Sequence, residues 1–162
     1  TLPVHQIVAL GEACRIARTE MGEERERLQR LRDRLWQALA GLGAVTLNGH
    51  PEHHWPGILN LSVAGIAAEA LLAAVPGIAL STGSACTSAN TEASHVLRAM
   101  GCDAPRARGA IRFSLGRFTT AAEIDYTIGA ITAAVERLRA LSPCWVADNA
   151  TTAAPIGWGP PA

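Results

Sequence analysis

The chain has 162 residues, enough to bury one core, or one domain and part of a second. Its 14 basic and 14 acidic residues cancel, which excludes the electrostatic footprint of a nucleic-acid binder. No apolar run approaches the ~20 residues of a bilayer span, and the opening TLPVHQIV lacks the basic start and cleavage site of a signal peptide, so the expected setting is the cytoplasm, away from membranes.

The chain does not begin with Met and opens like the middle of a protein, so a fragment or a processed chain is expected. Every basic residue is Arg; without a Lys, no side-chain amine is on hand for a Schiff base. Cys14, Cys86, Cys102 and Cys144 lie far apart with no C-x-x-C pair, and are read as four reduced thiols.

In chain order, VHQIVALGEACRIARTEM places Ile7, Leu10, Ala13 or Cys14, Ala17 and Met21 at helical spacing. After Gly22 a second helix is expected, EERERLQRLRDRLWQALAGLG, with Leu28, Leu31, Leu35, Leu39 and Leu42 as its stripe. Glu23, Glu24 and Glu26 sit in its first turn, where the helix dipole favours them. Arg27, Arg30, Arg32 and Arg34 read as a solvated face, and Gly41 and Gly43 end the helix.

AVTLNG and GILNLSV follow as strands joined by the turn-rich HPEHHWP. AAEALLAAV is a short helix stopped by Pro76, and GIAL a brief buried strand leading to the loop STGSACTSANTE. ASHVLRAMG is a compact helix capped by Gly101. GAIRFSLG is a strand with Ile111, Phe113 and Leu115 on one face and Arg112 and Ser114 on the other. The last helix, TTAAEIDYTIGAITAAVERLRAL, has Thr119 or Thr120 as cap, Glu123 completing a capping box, and Ile124, Ile128, Ile131, Val135 and Leu138 as its stripe. Beyond Pro143 the composition cannot bury enough to fold alone. The expected class is α/β or α+β, a small sheet covered by helices, with the leading helical segment drawn from a neighbouring domain.

Chemistry concentrates in a few places. Cys86 stands among Gly83, Ser84, Ala85, Thr87 and Ser88, so it is either a small buried filler or an accessible thiol able to ionise. Arg112 either faces solvent or grips a carboxylate through two parallel hydrogen bonds. Arg117 suits the support of the helix start or an ion pair. His50, His53 and His54 share one loop; a zinc site is conceivable, but a fourth ligand is lacking and a hydrated loop is preferred. His5 and His95 are placed on helices, at the surface or packed. GSACTSAN has one Gly and no G-K-[ST] ending, which makes a phosphate loop a poor match.

STGSACTSANTEASHVLRAMG, followed by AIRFSLGRFTTAAEIDYTI and LRALSPCW, resembles the C-terminal part of NifS/IscS-type cysteine desulfurases, and TLPVHQIVALGEACRIA resembles the end of that family's large domain. The resemblance implies the aspartate-aminotransferase-like fold type I of pyridoxal-phosphate enzymes, with residues 1–21 ending the large domain, 22–145 forming the small domain and 146–162 a flexible tail. It implies a homodimer, or a chain completed by an N-terminal partner subunit, that converts L-cysteine to L-alanine and leaves the sulfur as a persulfide on Cys86. Arg112 then matches the arginine that holds the substrate carboxylate, and Thr1 a threonine that contacts the cofactor phosphate across the dimer interface. The sulfur passes on to an iron–sulfur scaffold or another acceptor protein. The family's lysine lies upstream of Thr1, so the chain alone is expected to be inactive. The alternatives are a persulfide carrier or scaffold-docking module without cofactor, and the small domain of a related transaminase or lyase.

Overall fold

The computed structural model describes residues 1–82, 94–142 and 145. One helix, α1 (Val4–Ala40), replaces the two expected. Gly22 does not interrupt it, because a helical glycine costs only about 1 kcal/mol relative to Ala, too little to break hydrogen bonding maintained on both sides. The stripes on either side of Gly22 are therefore one line on one helix. Only its second half is covered: Leu28, Leu31, Leu35 and Leu39 are buried, whereas Ile7, Leu10 and Met21 are exposed. Each buried leucine contributes roughly 2 kcal/mol of hydrophobic stabilisation.

The chain then turns through Gly43, at φ +69°, into an antiparallel sheet in the order β1 (Val45–Asn48), β2 (Ile58–Val63) and β3 (Ala110–Ser114). Val45 opposes Val63 and Leu47 opposes Leu61; Leu61 opposes Ile111 and Leu59 opposes Phe113. This register sets the alternating apolar residues on one face, as their pattern predicts, and that face forms a single core with the leucines of α1 and with Ile124, Ile131 and Val135 of α5 (Ala121–Leu141). Thr120 caps α5 through the expected capping box: Glu123 N donates to Thr120 Oγ1 at 3.2 Å and Thr120 N to Glu123 Oε2 at 2.8 Å.

Between β2 and β3 the chain forms α2 (Ala68–Ala74), α3 (His95–Ala99) and α4 (Ala104–Arg108). Gly101 ends α3 at φ +83°, where its N–H donates to Arg98 O and the Cys102 N–H to Leu97 O, both at 2.9 Å. That turn delivers Cys102 into a second small core with Leu97, Ala107 and Ala110, on the sheet face opposite the main one. Helix α4 was not expected from the sequence, although its signals are present: Asp103 accepts from Arg106 N at 2.8 Å, and Pro105 lies in the first turn. Gly109 is required by close approach, since a Cβ there would lie 2.7 Å from Val63 O.

Two expectations are corrected. GIAL forms no strand; it is half-exposed, and sheet pairing is limited to a bridge between Ser81 and Arg112. Pro76 and Gly77 form a turn, in which the Ile78 N–H donates to Val75 O at 3.0 Å, and the chain reaches the edge of β3 only at Ser81. The arginines of α1 are not one solvated face either. Arg32 is 4 % exposed, donating from Nε to Ile58 O at 3.2 Å and from Nη1 to Asp33 Oδ1 at 3.1 Å. Its position, one residue past Leu31, falls inside the stripe that faces the sheet. Arg27 gathers the carbonyls of Gly116, Arg117 and Thr119, and Arg34 pairs with Asp125 at 2.6 Å.

Arg139 of α5 closes the other end of α1, donating to Leu42 O and Gly43 O at 2.8 Å each. Its guanidinium also lies 4.0 Å from the ring centroid of Trp145, whose indole packs on Gly65.

Candidate functional site

The site is built from β3. Alternation sends Ile111 and Phe113 into the core and turns Arg112 to the other face, half-buried. Arg112 N donates to Ser81 O at 2.7 Å and Ser81 N to Arg112 O at 3.4 Å. The backbone of Arg112 thus anchors the root of the segment that carries Cys86, five residues beyond Ser81. Cys86 itself lies outside the described residues, as do Cys144 and the tail 146–162. The Arg112 Nε–H is buried with no hydrogen-bond partner among the described residues. An unpaired, buried guanidinium N–H is costly unless an acceptor arrives, which suits an anion-binding group.

Beside Arg112 stands a polar row that sequence reasoning missed. Asn48, Asn60 and Arg112 are directly opposed across the three strands. Arg106 Nε donates to Asn48 Oδ1 at 2.9 Å; Asn48 Nδ2 donates to Asn60 Oδ1 at 2.8 Å and to Ser62 Oγ at 2.7 Å. Alternation in VTLN and ILNLS carried the signal, but only the register shows that the residues share a row. Cys102 sits under this network, its Sγ 3.9 Å from Asn48 Oδ1, and burial pushes its thiol pKa up. It is therefore a packed cysteine, whereas Cys14 is exposed on α1.

Thr1 is not brought to this site. It precedes α1 and is exposed, and ~36 Å of helix separates Val4 from Leu28, the first buried leucine. Arg117 makes the expected ion pairs, at 3.2 Å to Glu20 and 3.0 Å to Glu24. His5 and His95 are exposed on their helices. In the histidine loop, His50 Nδ1 accepts the N–H groups of Glu52 and His53, and no group of three or more metal-ligating side chains is assembled among the described residues. Burial, and next the Arg32 charge, hold the His54 pKa below its ordinary value. No helix among the described residues is long and apolar enough to cross a membrane.

Residues 1–127 match the family model of class-V aminotransferases. The chain belongs to that family. Cysteine desulfurase IscS of Escherichia coli O139:H28 is 54 % identical over 145 residues, covering 90 % of this chain and 36 % of that protein. The same protein of Shigella boydii serotype 18 is equally similar. Among solved structures, a NifS-like protein superposes with a TM-score of 0.73 at 31 % identity, over 85 % of this chain and 35 % of that one. DndA of Streptomyces lividans gives a TM-score of 0.51 at 36 % identity, over 70 % and 32 %. This class-V aminotransferase chain spans about a third of the length of the relatives it matches. Its mixed helical and antiparallel architecture is that of the NifS-like enzymes of fold type I.

Proposed function

We propose that the chain is the C-terminal, sulfur-accepting and substrate-gripping portion of a pyridoxal-phosphate-dependent cysteine desulfurase. The observation that carries this is the 54 % identity to IscS over 145 residues, a stretch that takes in both Cys86 and Arg112. In this assignment residues 1–21 close the large domain, 22–145 form the small domain and 146–162 the tail. The whole enzyme works in the cytoplasm as a homodimer, or with an N-terminal partner subunit.

Arg112 holds the L-cysteine carboxylate, and its unpaired Nε–H supports that role. The thiolate of Cys86 bonds to the substrate sulfur as the carbon–sulfur bond breaks. The carbon takes the bonding electrons and a proton and leaves as L-alanine, while the enzyme keeps a persulfide. That sulfur is passed on for iron–sulfur cluster assembly or another transfer.

The residues of this chain do not by themselves fit the cofactor. There is no lysine to bind it covalently, and the one candidate for its phosphate, the exposed Thr1, would meet it only across a dimer interface. The rest of the cofactor site must be supplied from outside the chain, and the chain alone is inactive.

The test is to supply pyridoxal phosphate and L-cysteine to the chain, with and without an N-terminal half taken from a relative, and to measure sulfide and alanine. Turnover only with the partner supports the proposal. Persulfide uptake from a donor without turnover under any condition would favour a carrier instead. Transfer that survives Cys86→Ala would remove Cys86 from either role.

A further inference from the structure

We propose that Asn60 is a second donor to the carboxylate held by Arg112, its side-chain amide aimed by a relay that begins at Arg106; this rests on the carboxylate role of Arg112 given above. The orientation of the relay follows from charge. A guanidinium has donors and no acceptor, so the Asn48 atom 2.9 Å from Arg106 Nε is Oδ1. Asn48 must then present Nδ2 to β2, where it lies 2.8 Å from Asn60 and 2.7 Å from Ser62 Oγ. An amide nitrogen offers no lone pair, so Asn60 answers with Oδ1. The Asn60 amide is thereby fixed with its oxygen toward β1 and its Nδ2 turned away from β1 as a donor.

Arg112 is directly opposite Asn60 on the next strand and the same face, with their Cβ atoms about 5 Å apart. The Arg112 Nε–H is buried and lacks a described partner. A carboxylate accepts up to four hydrogen bonds, so one resting over β2 and β3 takes the guanidinium and the Asn60 N–H together. Arg106 touches no substrate; it positions Asn60 through Asn48, and a second link from Arg106 Nη2 to Leu47 O at 2.9 Å holds it against β1.

The experiment titrates the isotopically labelled chain with L-alanine, and separately with L-alaninamide, which lacks the carboxylate. The side-chain N–H signals of Asn60 and Arg112 are followed by NMR. L-Alanine is expected to shift both and L-alaninamide neither. Asn60→Asp still accepts from Asn48 but turns an oxygen toward the ligand, and should weaken L-alanine at least tenfold with the melting temperature unchanged. Arg106→Met should weaken it several-fold, and Arg106→Lys, which restores a donor to Asn48, should recover most of that loss. If Arg112 responds while Asn60 is silent and Asn60→Asp binds normally, Asn60 is no ligand and the role of Arg112 stands. If neither side chain responds, the carboxylate role of Arg112 fails and that of Asn60 with it.

Discussion

Removing Arg139 tests how the two long helices are joined. Its guanidinium donates to Leu42 O and Gly43 O at 2.8 Å and stacks 4.0 Å from the Trp145 ring, so Arg139→Ala deletes two charge-assisted hydrogen bonds and one cation–π contact. The group is half-buried, so each bond is taken at the low end, about 1 kcal/mol, and the stack at about 0.7 kcal/mol. The expected loss is about 2–3 kcal/mol, a fall of roughly 6–9 °C in melting temperature for a chain of this size. Arg139→Lys keeps the charge but not the planar fork, and should lose about half as much. Urea unfolding followed by circular dichroism at 222 nm measures both, provided the slopes stay equal. A loss under about 0.5 kcal/mol for Arg139→Ala, or a lysine variant equal to the parent, would refute the account.

Three further outcomes are expected. Gly22→Ala should raise helicity and add about 0.5–1 kcal/mol, because Gly22 is helical and a Cβ there meets nothing within 4 Å; thermal unfolding at 222 nm reads it. Arg32→Met should lie within about 1 kcal/mol of the parent, since an apolar stem replaces a desolvated charge. Arg32→Ala should cost about 3 kcal/mol through the cavity it opens, and equilibrium denaturation separates the two. His54 has a folded pKa below its ordinary 6.5, so between those values the unfolded chain binds the extra proton and stability falls as the pH drops below about 6.5. His54→Gln should flatten that slope in a series of melts from pH 7.5 to 5.5.

The strands and α5 were legible because each carries its own pattern. Alternation in GAIRFSLG placed Arg112 opposite Phe113, and Thr120 and Glu123 announced their capping box. The merger of two helices into α1 was not legible, since Gly22 weakens a helix without saying whether its neighbours sustain it. The burial of Arg32 was not legible, because its residue type points to solvent while its place beside Leu31 sets it against β2. GIAL has the composition of a strand, but composition does not reveal that pairing with β3 begins and ends at Ser81, just beyond it. The row from Asn48 to Arg112 depends on register, a property of two segments together that no single segment spells out. Cys86 drew its role from resemblance alone and lies outside the described residues.

Because α1 continues without a break from the core out to Val4, it works as a rigid lever with its fulcrum near Leu28. A ten-degree tilt of the sheet against whatever grips the outer arm would swing the far tip by about 6 Å, the 36 Å arm multiplied by the angle. Small adjustments around Arg112 are therefore magnified at Thr1, and a hinge placed at Gly22 would uncouple the two ends.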